Sequence, residues 1–168
     1  MQKKIFNFKR RVIRLFLRPI IWYAYDTHIV RGPKKKLCIG EKVALANTYI
    51  NLASGKVTIG SRTIFAQDVH ITTGRHKFLN GMRVSLHEEF DDGSWGGGEA
   101  EVPSEGYDIS IGSGCFIGVR AIILGGVKIG DNSIVAAGSV VTKSFPPFSV
   151  IAGIPAKKVG DTRQRKGK

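Results

Sequence analysis

The sequence predicts an all-β chain wound as a parallel β-helix, and three observations predict it. An aliphatic residue returns at every sixth position between Ile111 and Thr142, at Ile111, Ile117, Ile123, Ile129, Val135 and Val141. A small residue, Gly112, Gly118, Gly130 or Ala136, follows most of these anchors, and Cys115, Ala121, Val127, Ser133 and Ser139 recur four places after them. Neither a helical period nor strand alternation produces a six-residue return, whereas hexapeptide coils do.

Each hexad accommodates one short strand and one tight corner, and three hexads close a triangular coil with its anchors pointing inward. Residues eighteen apart then stack, Ile111 against Ile129, Ile117 against Val135 and Ile123 against Val141, at the roughly 4.8 Å spacing of neighbouring strands. Gly114, Asn132 and Gly138 fall at the expected corners, where Gly and Asn tolerate positive φ.

Taken in order, the chain opens with a basic segment, residues 1–36. Ile5, Phe8, Val12, Leu15 and Phe16 share one side of a predicted helix over residues 5–18, with Asn7, Arg11, Arg14 and Arg18 on the other, and Pro19 limits it. Its apolar face either packs on the β-helix or a neighbouring subunit, or lies on a membrane through residues 1–24. Arg31 to Lys36 reads as a polar linker. The repeat domain spans residues 37–160: hexads begin at Ile39-Gly40 and Leu45-Ala46, falter over Asn47 to Lys56, and resume at Ile59-Gly60, Phe65-Ala66 and Ile71. The twenty-residue step from Ile39 to Ile59 implies a bulge. After Ile71 the pattern vanishes until Ile109, so residues 77–108 are expected to protrude as a long loop, acidic in part and carrying Trp95 as a candidate acceptor-binding residue. The repeats stop at Pro146-Pro147, a compact loop follows over residues 150–157, and residues 161–168 form a basic tail expected to be disordered.

Lys and Arg total 26 against 13 Asp and Glu, a net charge of +13, which suggests anionic partners. The charge is concentrated at the two ends of the chain while the repeats are nearly neutral, which argues against a nucleic-acid-binding face on the coil. Cys38 and Cys115 lack metal-type spacing and read as packing residues. Arg18 and Asp26 interrupt the one apolar run that approaches a membrane span, and no cleavage motif follows it, so a reduced, cytoplasmic protein is expected.

A more specific combination accompanies the hexads: Thr72-Thr73-Gly74-Arg75-His76 before the long loop, Gly125-Gly126-Val127-Lys128-Ile129-Gly130-Asp131-Asn132, Gly138-Ser139-Val140-Val141-Thr142-Lys143, and Ala152-Gly153-Ile154-Pro155-Ala156. Over roughly residues 37–160 this resembles the hexapeptide-repeat acyltransferases, most closely the galactoside and maltose acetyltransferases and the polysaccharide O-acetyltransferases. The resemblance implies a left-handed coil, a homotrimer, and acetyl-coenzyme A held in a groove between neighbouring subunits. It implies that His76 is the catalytic general base, that Ala137, Gly138, Thr142, Lys143, Lys157 and Lys158 bind the coenzyme, and that Asn51 and Phe116 face the acceptor. Phe116 stands where the family usually carries tryptophan, and Val119 replaces a polar residue often found there, so the acceptor pocket differs from the usual one.

The chemistry asks for a residue such as His76. A hydroxyl is a poor nucleophile until a base removes its proton, and a free imidazole, with a pKa near ~6.5, is mostly neutral at about pH 7. A backbone N–H is expected to steady the oxyanion. The implied reaction is transfer of an acetyl group to a hydroxyl of a sugar or cell-surface glycan, without a metal. An amino-sugar N-acetyltransferase, an antibiotic acetyltransferase and a non-catalytic β-helix scaffold are the alternatives. The γ-class carbonic anhydrases share the prism but need three histidines on zinc, and no histidine follows His87.

Overall fold

The inward anchors stack as the six-residue return requires. A computed structural model describes residues 28–87 and 98–164 of the chain. Short strands visit three parallel sheets in turn, so each sheet collects one strand from each coil. The first sheet contains β1 (Ile29–Arg31), β3 (Tyr49–Asn51), β6 (His70–Thr72), β11 (Ile122–Leu124) and β14 (Val140–Val141). The second contains β2 (Leu37–Ile39), β4 (Val57–Ile59), β9 (Ile109–Ile111) and β12 (Lys128–Ile129). The third contains β5 (Ile64–Phe65), β10 (Phe116–Ile117), β13 (Ile134–Val135), β15 (Ser149–Gly153) and β16 (Ala156–Asp161), the last pairing antiparallel with β15.

Register runs straight through the anchors. Val30, Ile50, Ile71, Ile123 and Val141 form one inward column, Ile39, Ile59, Ile111 and Ile129 a second, and Phe65, Ile117, Val135 and Ile151 a third. From Ile50 upward these columns are buried, while Ile39, on the edge strand β2, is 42% exposed, with no further coil beneath it among the described residues. Full burial of one such aliphatic side chain contributes about 1.5–3 kcal/mol. Backbone hydrogen bonds climb from coil to coil, as in Gly60 N–H to the Ile111 carbonyl at 2.7 Å and Gly112 N–H to the Ile129 carbonyl at 2.8 Å.

The small residue after each anchor exists because the next coil passes against it. A Cβ placed on Gly112 would lie 2.6 Å from the Asp131 backbone nitrogen and 2.3 Å from its Oδ1. At the corners Gly114 and Asn132 have φ of 66° and 55°, the left-handed region that the turn demands. The fourth position after an anchor faces inward: Cys115 is buried, which pushes its thiol pKa up, and Ser133 and Ser149 are buried with the Ser149 N–H donating to Ser133 Oγ at 3.1 Å.

Four expectations change. The coil begins before residue 37, because β1 pairs with β3 inside the stretch that reads as linker. The repeats do not lapse over residues 47–56: Ile50, Leu52 and Val57 are buried, and the steps to their stacking partners are longer than eighteen residues, which hides them from a strict hexad. Nor do they end at Pro146, since Phe145 bridges Ile129 and Ile151 stacks on Val135. The region after Pro155, expected as the end of a compact loop and then a disordered tail, is strand β16 paired with β15, and the start of the tail is ordered as a 3-10 turn over Thr162–Gln164, with Arg163 Nη2 on Asp161 Oδ2 at 2.8 Å and its guanidinium over the Phe148 ring. The predicted N-terminal helix, Trp95 and residues 165–168 lie outside the described residues.

The insertion leaves after β6 and re-enters at β9, the next strand of the same coil, at the corner between the first and second sheets, since β6 stacks on β3 and β9 on β4. Its described parts are a hairpin of β7 (Phe78–Leu79) and β8 (Met82–Arg83), a 3-10 turn over Val84–Leu86, and a short helix α1 (Gly98–Glu101).

Candidate active site

Thr72-Thr73-Gly74 carries the chain off the first sheet, and the departure is pinned from below. Thr73 N–H and Thr73 Oγ1 both donate to the Asn51 carbonyl, at 3.1 and 3.0 Å, and the Ser54 N–H donates to Thr73 Oγ1 at 3.0 Å. Three residues on, His76 projects with 52% of its side chain exposed beside the fully buried carboxylate of Glu101.

Glu101 organises this part of the loop. Its Oε1 accepts from His76 Nδ1 in a short hydrogen bond and faces Arg83 Nη1 at 3.4 Å. Its Oε2 accepts from the Ser85 N–H at 3.0 Å and from the Ser85 hydroxyl. Its carbonyl accepts from the Lys77 N–H at 2.9 Å, joining α1 to the strand of chain that bears the histidine. The Ser85 hydroxyl above all, then His76, the Ser85 N–H and Arg83, outweigh the cost of burial and lower the carboxyl from 4.5 to about 2. An ionised carboxylate only accepts hydrogen bonds, so Nδ1 of His76 must be the donor, and the lone pair of a neutral ring is on Nε2. A cleft of about 730 Å³ adjoins the ring, lined by Arg75, His76, Lys77, Phe78, Leu79, Val84, Ala100 and Tyr107. A positioned imidazole with its second nitrogen oriented by a buried carboxylate can take a proton from a hydroxyl held in that cleft.

The other residues singled out in the sequence fall in three places. Asn51 lies beside Thr72 in register, one coil below His76's point of departure, with its Oδ1 accepting the Ala53 N–H at 2.9 Å. Thr142 and Lys143 follow β14, so they lie along the same edge of the coil as the loop exit, exposed, two coils above it. Ala137 and Gly138 turn the opposite edge of the first sheet, between β13 and β14, with both residues exposed. Phe116, 45% exposed on β10, and Lys157 and Lys158 on β16 belong to the third sheet, where Lys158 Nζ meets Asp161 Oδ2 at 3.4 Å. A single chain therefore brings none of Ala137, Gly138, Phe116, Lys157 or Lys158 into the lining of the His76 cleft.

Glu101, Ser85, Arg83 and Tyr107 are site residues that the sequence did not disclose. They sit in a stretch without periodicity, among several carboxylates that look alike in one dimension. The one available signal is local: Glu101 is flanked by Ala100 and Val102, as a buried acid would be.

Among the described residues, no group of three or more His, Cys, Asp or Glu is placed to hold a metal ion, and no helix is long and apolar enough to cross a membrane. A family described as the hexapeptide repeat of succinyl-transferase matches residues 108–143, the second hexad block. Galactoside O-acetyltransferase of Escherichia coli (strain K12) is 27% identical over 150 residues, 89% of this chain and 62% of that protein. A maltose O-acetyltransferase from Clostridium difficile 630 superposes with a TM-score of 0.59 at 25% identity, covering 80% of this chain and 65% of that one. A galactoside acetyltransferase in complex with coenzyme A superposes with a TM-score of 0.57 at 28% identity, covering 80% and 59%. The chain thus spans less than two thirds of the length of each of these relatives. In coil and in repeat sequence the chain is thus similar to the hexapeptide-repeat acetyltransferases, among them the galactoside, maltose and polysaccharide O-acetyltransferases.

Proposed function

We propose that the protein transfers an acetyl group from acetyl-coenzyme A to a hydroxyl of a sugar or glycan, with His76 as general base. The observation that carries this reading is the His76–Glu101 pair beside an open cleft. The coenzyme supplies the acetyl group as a thioester. His76 Nε2 accepts the acceptor's hydroxyl proton as its oxygen attacks, then returns that proton to the departing sulfur, so the ring ends neutral. Glu101 holds the Nδ1 proton throughout and offsets the charge while the ring carries both.

The residues expected to hold the coenzyme fit such a role. Gly138 has open space where a Cβ would be, so backbone there is approachable by an extended arm, and Lys143, Lys157 and Lys158 are exposed cations suited to phosphates. Their distribution over separate edges and faces of one chain supports a homotrimer, wound left-handed as in the implied family, in which one subunit's His76 meets a neighbour's third sheet. The complex of a related galactoside acetyltransferase with coenzyme A supports the choice of donor. A cytoplasmic location, with residues 1–24 as a peripheral membrane contact, belongs to the same reading; sedimentation with anionic liposomes, lost on removing those residues, tests the contact. Coenzyme thiol release over a panel of glycans, amino sugars and antibiotics, together with mass by light scattering, tests the whole. Release only with amines, or full activity as a monomer, contradicts it.

A further inference from the structure

Resting on the reading of this site as that of a sugar O-acetyltransferase, we propose that its acceptor is an anionic glycan, bound by a basic strip that runs from the His76 cleft to the first coil.

Two cations line the cleft itself, Arg75 and Lys77, on either side of His76 in sequence, and both are exposed. Among the described residues, no carboxylate lines it. The nearby acid Glu101 is buried and already shared by His76, Ser85 and Arg83, so it does not neutralise the wall. Asp108, where the loop re-enters the coil, accepts the Lys56 N–H at 2.8 Å. Exposed Phe78 and half-buried Tyr107 complete the lining with apolar faces against which a sugar ring packs.

The basic character continues downward. Arg31, Asn51 and Thr72 are in register on successive coils, so Arg31 lies two coil steps, about 10 Å, below the point where the chain leaves for His76. Beyond Arg31, the 3-10 turn Lys34–Lys36 is bound to the loop, with Lys36 Nζ donating to the Ser104 carbonyl at 2.5 Å, between Glu101 and Tyr107. Lys34 and Lys35 remain exposed beside this tie. Glu105 is an exposed acid in the same region, against Arg31, Lys34, Lys35, Arg75 and Lys77. Such a strip suits a chain of two or three sugar units carrying carboxylate or phosphate groups, with the unit to be acetylated at His76 and its neighbours over Arg31 and Lys34.

The test is equilibrium binding to the full-length protein, by calorimetry in low salt, of a tri-uronic acid, the corresponding monomer, a sugar phosphate and the carboxyl-reduced neutral trisaccharide. Exposed cations contribute up to about fivefold each, so the trimeric acid should bind about tenfold or more tightly than its neutral counterpart. That preference should vanish near 1 M salt, where the screening length is about 3 Å. Arg75→Gln with Lys77→Gln should bring the ratio close to one, and Lys34→Gln with Lys35→Gln should remove the advantage of trimer over monomer. The sugar phosphate against the monomeric acid tells which anion the cleft favours. Equal binding of acidic and neutral trisaccharides overturns the proposal, as does a double Arg75 and Lys77 variant that weakens coenzyme binding and keeps the acid preference. Absence of thiol release with every acceptor overturns the acetyltransferase reading instead, and acid-selective binding is measured independently of it.

Discussion

Replacing Glu101 by glutamine preserves the size of the side chain and removes one charge, and the geometry around it prescribes the result. Both carboxylate oxygens accept hydrogen bonds in the native site, one from His76 Nδ1 and the other from the Ser85 N–H and hydroxyl. A carboxamide has only one accepting oxygen. Turned toward His76, it keeps the productive tautomer but places an NH2 against the Ser85 N–H. Turned the other way, it makes Nδ1 the acceptor, moves the ring proton to Nε2, and abolishes the base. Loss of the carboxylate also removes the charge that balances a protonated ring. Charge-assisted hydrogen bonds of this kind correspond to about ten- to hundredfold in rate, so kcat should fall by that factor, with KM for donor and acceptor changing less than about threefold. Steady-state thiol release over a range of both substrates measures the split. A Glu101→Gln enzyme within about twofold of the wild-type kcat would refute the orienting role and leave the carboxylate a loop anchor only.

Three further outcomes follow from the same geometry. His76→Ala should lower transfer by about a hundredfold or more while calorimetry still detects coenzyme binding; undiminished turnover removes His76 from the mechanism. Because folding lowers the Glu101 carboxyl from 4.5 to about 2, its stabilisation of the loop is complete above 4.5 and is lost as the pH falls toward 2. Protection against hydrogen exchange in residues 76–87 and 98–107, taken relative to free amides at the same pH, should therefore fall across that window in the native protein, and Glu101→Gln should remove this dependence. Gly112→Ala forces a methyl to within 2.6 Å of the Asp131 backbone nitrogen in the next coil, and should cost about 1–3 kcal/mol, lowering the melting temperature by several degrees; an unchanged melting curve contradicts the close coil contact.

The coil was legible in one dimension because its physics is one-dimensional. An inward anchor at each sixth residue, a small residue where the next turn passes, and Gly or Asn at a positive-φ corner are all local demands, repeated until they form a pattern, and the columns through Ile111–Ile129, Ile117–Val135 and Ile123–Val141 stand where that pattern puts them. Reading failed where the step between stacked residues was not eighteen. Val30, Ile50 and Ile151 are as much part of the columns as Ile123, but corners of different length put them out of phase, and only pairing with the neighbouring coil restores them. Strand β16 is a similar case: its ordering comes from β15 alongside it rather than from its own basic residues.

The site divides in the same way. His76 was visible because it follows directly on the last strand of a repeat block, within the Thr-Gly-x-His stretch that opens the loop. The residue that fixes its ring and tautomer was not, because Glu101 lies 25 positions away across an aperiodic loop and is held at the imidazole with Lys77 N–H on its carbonyl and Ser85 on its carboxylate. Among the described acids of the loop, burial sets Glu101 apart from the exposed Glu105 and Asp108, and burial is a property of the folded chain. Likewise the spread of Lys157, Lys158, Ala137 and Thr142 over separate faces could not be read from their order, since adjacency on a coil is set by which sheet a residue occupies, not by its distance along the sequence.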